Sequence, residues 1–303
     1  MKIFKKNISR IFKNSVLAVG NFDGIHLGHK KVLNEAFKKA KKNKIKFGLL
    51  TFEPIPVMFF NKKIKNHRLN SISQKIFYLK KEKLDFLILQ KFDKRFSNLN
   101  YENFIKKILY QTIKCKYLYV SNNFKFGKNR DGNVKKLLEN QSKFKIKTII
   151  TKPFKKNKKI ISSSIIRRLI RSGKVEKAKQ FLGRNWEIEG KVIKGEQRGR
   201  KIGFPTCNID IQDYVLPKHG VYSVMVNFDN YLKKGIANVG FRPTFNGKKL
   251  LLEVNIFGIK RNLYNKMIKV RFLKFIRAEK KFKNLNELKK QIKVDIKKSK
   301  QNV

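Results

Sequence analysis

The sequence predicts a helix-covered parallel sheet followed by an antiparallel β-barrel with a closing helix. Three observations carry this expectation. Short apolar runs alternate with helical patterns up to about residue 182. Beyond Gly183, β-type segments succeed one another without helices between them. One last helical pattern ends the chain. Alternation of strand and helix requires parallel pairing through crossovers, whereas uninterrupted strands pair as neighbours.

In the first part, VLAVG (16–20) reads as a buried strand and HKKVLNEAFKKAKK (29–42) as a helix. KFGLLTF (46–52), DFLILQ (85–90), KYLYVS (116–121) and KIKTII (145–150) supply four more strands. SISQKIFYLKKE (71–82), YENFIKKILYQTI (101–113) and DGNVKKLLENQ (131–141) supply helices between them. Two short helices follow, SSIIRRLIR (163–171) and KVEKAKQFL (174–182), separated by Gly173. After Gly183 come WEIEGKVIKG, FPTCNIDI, GVYSVMVNF, KKGIANVGF, KLLLEVNIFG and MIKVRFLKFI, punctuated by Gly, Asn and Pro, as in a closed barrel. NLNELKKQIKVDIKKSK is the final helix, with Asn284 or Asn286 as N-cap. The expected domains are 1–182 and 183–303, with no long linker.

The 303 residues suffice for two cores, and 41% hydrophobic content excludes a disordered chain. No run of about 18 apolar residues predicts a membrane span, and the basic N-terminus lacks the apolar stretch of a secretory signal. Cys115 and Cys207 form no CxxC and no disulfide framework, which fits a reducing cytoplasm. The formal charge of +55 invites nucleic acid as partner. The lysines, however, spread over nearly every segment, as do Asn, Ile and Phe, whose codons are rich in A and T. No specific nucleic-acid partner is expected, only loose attraction to polyanions.

Two of the four histidines, His26 and His29, fall in GNFDGIHLGHKK (20–31). This stretch follows the first strand, where ligands of open α/β sheets bind. Gly20 and Gly24 permit a tight turn, and the helix beginning near Gly28 aims its free N–H groups at the same spot. Two imidazoles three residues apart there suit an anion, since attack on a phosphate needs positioned donors and no covalent chemistry. Spacing alone also allows a turn with two incidental histidines; a metal site lacks a third ligand nearby. ISSS (161–164) reads as an N-cap or as an anion loop, and Arg167 and Arg171 share a helix face. Phe124 and Phe126 suit ring stacking or core packing, the default among 26 Phe residues.

The wider string GNFDGIHLGHKKVL resembles the HxGH signature of the Rossmann-like nucleotidyltransferase superfamily, in the form found in the bacterial bifunctional riboflavin kinase/FAD synthetase. The resemblance continues through TFEPIP (51–56), FKFGKNRDG (124–132), ISSSIIRRLI (161–170), GRNWEIEGKVIKGEQRGRKIGFPTCNI (183–209), HGVYSV (219–224), ANVGFRPTF (237–245) and LEVNIF (252–257). It implies two reactions. The barrel converts riboflavin and ATP to FMN and ADP; the first domain joins FMN to AMP from a second ATP, giving FAD and pyrophosphate.

For the first reaction the resemblance implies that His26 and His29 contact ATP phosphates. Gly20, Asn21, Phe22, Asp23 and Gly28 line the nucleotide, and Ser162, Ser163, Ser164 and Arg167 form a second phosphate loop. Asn123, Phe124 and Phe126 lie on the flavin side. For the second it implies that Gly195, Gly199, Arg200 and Gly203 approach ATP and that Thr206 and Asn208 hold Mg²⁺. Thr206 and Asn208 alternate on one strand, so both face the same way, and a hydroxyl and an amide oxygen suit a hard cation. Glu253 matches the general base; an outward-facing surface carboxylate is the other reading. His67 and His219 carry no independent signal, and Cys207 is expected to pack. Departures from the family pattern are Ile55 for His, Asn70 for Thr, Ser121 for Gly, Ser164 for Thr and Asn255 for His. Three alternatives stay open: a weakened adenylyltransferase half, another acceptor, or a nucleic-acid-binding protein on an enzyme skeleton. A homo-oligomer is compatible with the sequence.

Overall fold

In the computed structural model, residues 1–5, 8–156, 159–195, 197–211, 213–244, 247–259 and 261–301 are described. Glu196 of the GEQRGR loop and Phe245 of the ANVGFRPTF string lie outside the described residues. Two compact units result: Met1–Lys65 with Lys75–Ser162, and Asn66–Gln74 with Ser163–Val303.

In chain order the elements begin β1 (Lys2–Phe4), β2 (Val16–Val19), α1 (Leu27–Lys42), β3 (Phe47–Glu53), α2 (Pro56–Phe60), α3 (Ile72–Lys80) and β4 (Phe86–Lys91). Next come α4 (Lys94–Ser97), α5 (Tyr101–Asn103), a π-helical run Phe104–Ile113, β5 (Tyr117–Ser121), and the short β6 (Lys125–Phe126) and β7 (Gly132–Asn133). α6 (Val134–Glu139), α7 (Gln141–Phe144), β8 (Lys147–Thr151), β9 (Lys155–Lys156) and β10 (Lys159–Ile160) follow.

The main sheet is six-stranded and parallel, ordered β1-β4-β3-β2-β5-β8. The five expected strands are present, and β1 adds an edge that its three residues were too short to announce. β2 is central because it is apolar on both faces. Val16 and Ala18 join one core with Leu33, Ala36 and Leu49; Leu17 and Val19 join the other with Leu50, Phe86, Phe104 and Leu118. The expected helix over 101–113 widens into π geometry from Phe104. Thr112 Oγ1 donates to the Lys107 carbonyl at 2.6 Å, and Lys114 ends the run in the left-handed region.

The second unit holds α8 (Ser163–Arg171) and α9 (Val175–Leu182), after which Gly183 caps at φ 73°. β11 (Glu187–Ile193), the short α10 (Arg198–Lys201), β12 (Cys207–Ile209), β13 (Gly220–Phe228), β14 (Tyr231–Thr244), β15 (Gly247–Ile256), β16 (Met267–Arg277) and α11 (Leu285–Gln301) complete it. The strands close into a barrel in the order β11-β12-β15-β14-β13-β16. Alternate residues fill its interior: Ile188 and Val192, Tyr222, Val224 and Val226, Leu252 and Val254, Ile268, Val270 and Phe272, none above 1% exposure. Asn284 is the cap of the last helix, accepting from Glu287 N–H at 3.0 Å.

Residues 66–74, which sequence periodicity leaves inside the first domain, group with this unit. His67 and Arg68 N–H both donate to the Asp213 carbonyl, and Trp186 Nε1 donates to the Leu69 carbonyl at 3.0 Å. The Tyr214 hydroxyl donates to Gln74 Oε1 at 2.8 Å, and burial pushes its pKa up to about 12.

Candidate functional site

The first unit offers a site at the carboxyl end of β2. The sheet order runs outward from β2 in both directions, so the turn after β2 lies at the topological switch point. That turn is tightly wound: Phe22, Gly24 and Ile25 have φ of 45°, 89° and 40°. It delivers His26 to the N-cap of α1, where its Nδ1 accepts the His29 backbone N–H at 3.2 Å. An Nδ1 held as acceptor leaves the proton of neutral His26 on Nε2. The two imidazoles stack with centroids 3.6 Å apart, and the Phe22 ring lies 4.7 Å from His29. His26 and Asp23 are 4% and 1% exposed. Gly28 sits in a tight fit: a Cβ there would stand 3.1 Å from the His26 ring and 3.4 Å from the Ile161 carbonyl. The Ile161 carbonyl, just before Ser162, therefore lies close to the start of α1. The paired donors, the helix N-terminus and the glycine turn form an anion-binding arrangement.

Of the residues expected to form a second phosphate loop, Ser162 ends the first unit and Ser163 starts α8 in the second. Ser164 is exposed, and the buried Arg167 donates Nε to the His67 carbonyl at 2.7 Å. On the flavin side Asn123 is exposed and accepts from Ser121 Oγ at 2.9 Å, so the serine at the usual glycine position has a use. Phe124 and Phe126 turn inward: their rings stack at 5.4 Å within the core, the packing alternative the sequence left open.

The barrel offers a second site on its outer face. Asn208 pairs in register with Glu253, and Glu253 pairs on its other side with Asn238. Directly paired residues share a face of the sheet, so these three side chains form a row. Asn208 is 7% exposed, and its Oδ1 is buried with no hydrogen-bond partner among the described residues. The glycine loop covers it: a Cβ on Gly195 would stand 1.9 Å from Asn208 Nδ2, and one on Gly199 would stand 3.3 Å from Thr206 Oγ1. Gly203, at φ 87°, completes the return, and Arg200 is exposed. A cavity of about 730 Å³ opens at Gly203, lined also by Phe204, Pro205, Tyr231, Asn255, Phe257 and Arg261. Cys207 faces away from Asn208, and burial raises its thiol pKa, which fits packing.

Three family departures are absorbed locally. Ile55 is 2% exposed and packs where the usual His would need a partner. Asn70 donates to Gln74 Oε1 and accepts from Arg184. Asn255 donates to the Pro205 carbonyl at 2.7 Å, tying β15 to the FPT turn. Asn238, within the ANVGF string, carries no signal of its own in the sequence; only strand register shows it beside Glu253. His219 lines a shallow depression of about 530 Å³ with Asn66, Arg171 and Lys218. Among the described residues no group of three or more His, Cys, Asp or Glu side chains is placed to hold a metal ion, and no helix is long and apolar enough to cross a membrane.

Fold and sites define a two-part ATP-dependent transferase, with an HxGH α/β unit and a kinase-type barrel. Comparison with known proteins agrees. The FAD synthetase family model matches residues 8–165, and the riboflavin kinase model matches residues 182–303. Bifunctional riboflavin kinase/FMN adenylyltransferases from Buchnera aphidicola (Schizaphis graminum), Haemophilus influenzae and Escherichia coli K12 are 42%, 38% and 34% identical. The matches cover 96%, 96% and 91% of this chain and 94%, 94% and 89% of those proteins. A crystal structure from Streptococcus pneumoniae, described as a macrolide-efflux protein, superposes with a TM-score of 0.86 at 28% identity over 98% of both chains. The chain belongs to the bifunctional riboflavin kinase/FMN adenylyltransferase family and carries both enzyme halves.

Proposed function

We propose that the barrel phosphorylates riboflavin at the row Asn208–Glu253 and that the α/β unit adenylylates FMN at His26 and His29. The observation that supports this most is Asn208: a buried amide oxygen with no hydrogen-bond partner among the described residues, in register with a carboxylate and under a glycine loop. Glu253 accepts the proton of the ribityl 5′-hydroxyl as that oxygen attacks the γ-phosphate of ATP. Gly195, Gly199, Arg200 and Gly203 bring backbone and guanidinium to the phosphates. Thr206 and Asn208 present oxygens suited to Mg²⁺, which when bound neutralises phosphate charge.

In the other reaction a phosphate oxygen of FMN attacks the α-phosphate of ATP, and pyrophosphate leaves. His26, through Nε2–H, and His29 stabilise the charge building on the non-bridging oxygens. Gly20, Asn21, Phe22, Asp23 and Gly28 shape the nucleotide turn; Ser162, Ser163, Ser164 and Arg167 supply further phosphate donors. Asn123 meets the flavin at the rim, with Phe124 and Phe126 as the packed floor below it. The catalytic domains are taken as 1–182 and 183–303, with ATP, riboflavin and FMN as partners in a cytoplasmic enzyme. A homo-oligomer is compatible with this reading, and no specific nucleic acid or membrane enters it.

The test is to separate FMN from FAD after incubation with riboflavin or FMN, ATP and Mg²⁺. His29→Ala is expected to lower FAD formation by about 10²- to 10³-fold and to leave FMN formation intact. Glu253→Gln is expected to stop FMN formation and to leave FAD formation from supplied FMN intact. Loss of both reactions in either folded variant overturns independent sites.

A further inference from the structure

Behind the nucleotide turn lies a lysine that no motif assigns. Lys75, in α3, is 1% exposed, and its Nζ donates to the Asn21 carbonyl at 3.0 Å. Thr51, in β3 and fully buried, donates its hydroxyl to the same carbonyl at 2.9 Å. Burying an ammonium is costly, so an ordinary helix lysine points outward, as the exposed Lys80 of the same helix does. Here one backbone oxygen receives a charged donor and a neutral one. That oxygen belongs to the residue before Phe22, whose φ is 45°. A bulky residue stays in the left-handed region only where its surroundings hold it there. Phe22 in turn lays its ring against His29, and His29 stacks on His26.

We propose that Lys75, assisted by Thr51, is a positioning residue for adenylyl transfer. By fixing the Asn21 carbonyl it keeps Phe22 left-handed, and Phe22 then sets the angle of the His29 ring. The ammonium also adds positive potential behind a turn built for an anion. This inference rests on the reading of His26 and His29 as the phosphate contacts.

The full-length chain and its Lys75→Met, Thr51→Val and His29→Ala variants are assayed separately for FMN and FAD formation. Lys75→Met keeps the length of the side chain and removes the charge. It is expected to lower kcat for FAD formation about 10- to 100-fold, as small misplacements of a catalytic group do, with the KM for FMN and the rate of FMN formation little changed. A second readout is the ring ¹⁵N spectrum, tractable with four histidines. The His26 and His29 signals are expected to move in Lys75→Met without nucleotide; a merely structural lysine would lower the melting temperature and leave them in place. Retained kcat with unmoved imidazole signals overturns the proposal. Should Lys75→Met not fold, Thr51→Val carries the test: a kcat loss of about tenfold supports positioning, and an unchanged kcat overturns it. If His29→Ala itself retains FAD formation, the site reading fails. If His29→Ala is inactive while Lys75→Met and Thr51→Val behave as wild type, only the positioning role fails.

Discussion

A β-carbon on Gly195 would stand 1.9 Å from Asn208 Nδ2 and 2.8 Å from its Cγ. Asn208 is short and buried, so its amide has to rotate, and its Oδ1 leaves the position proposed above for the cation. Gly195→Ala is therefore expected to lower riboflavin phosphorylation about 10- to 100-fold while FAD formation from supplied FMN holds, measured by the same product separation. The requirement for glycine comes from close approach, since Gly195 has no left-handed φ. The sequence shows Gly195, Gly199 and Gly203 four apart and marks a candidate phosphate loop. It does not show which side chain each one covers, because that depends on where β12 lies. The histidines divide similarly. Their spacing points to an anion, but the use of His26 Nδ1 as the helix cap appears only once α1 starts at Leu27.

At the scale of elements, α11 docks on the barrel through polar groups. Arg277, at the end of β16, donates Nε and Nη2 to Asp295, which is 1% exposed, and Gln291 donates to the same carboxylate at 2.9 Å. Ser299 donates to Ser223 Oγ at 2.9 Å and lies in reach of the Gly235 carbonyl at 3.1 Å. Removing one partner of a buried pair strands the other charge. Arg277→Leu is expected to destabilise the second unit by about 3–5 kcal/mol in urea unfolding followed by far-UV signal, and Gln291→Ala by less. The helix itself was legible in the sequence with Asn284 or Asn286 as its cap, and the structure selects Asn284. Its buried Asp295 was not, since a carboxylate on a lysine-rich helix reads as solvated. The segment 66–74 failed for a related reason: its anchors, Asp213, Tyr214 and Trp186, lie more than a hundred residues away in sequence.

For the whole molecule, charge and function are expected to separate. A net charge of +55 is expected to attract any polyanion through counterion release, with no demand for a specific site. Fluorescence anisotropy with labelled duplexes is expected to show affinity falling by about 10²-fold or more between about 50 and 200 mM salt, with no sequence preference. Salt-resistant, sequence-selective binding would restore the nucleic-acid reading. By itself the sequence determined the two architectures, the change at Gly183, the family and the candidate residues. These rest on local periodicity and on the order of short motifs, which the chain carries along its length. Only the tertiary structure decided that Asn208 and Glu253 face one another, that Asn238 joins them, that Phe124 and Phe126 pack inward and that Lys75 reaches the Asn21 carbonyl. Such facts depend on strand register and on packing between distant segments, where a one-residue slip turns every side chain to the opposite face.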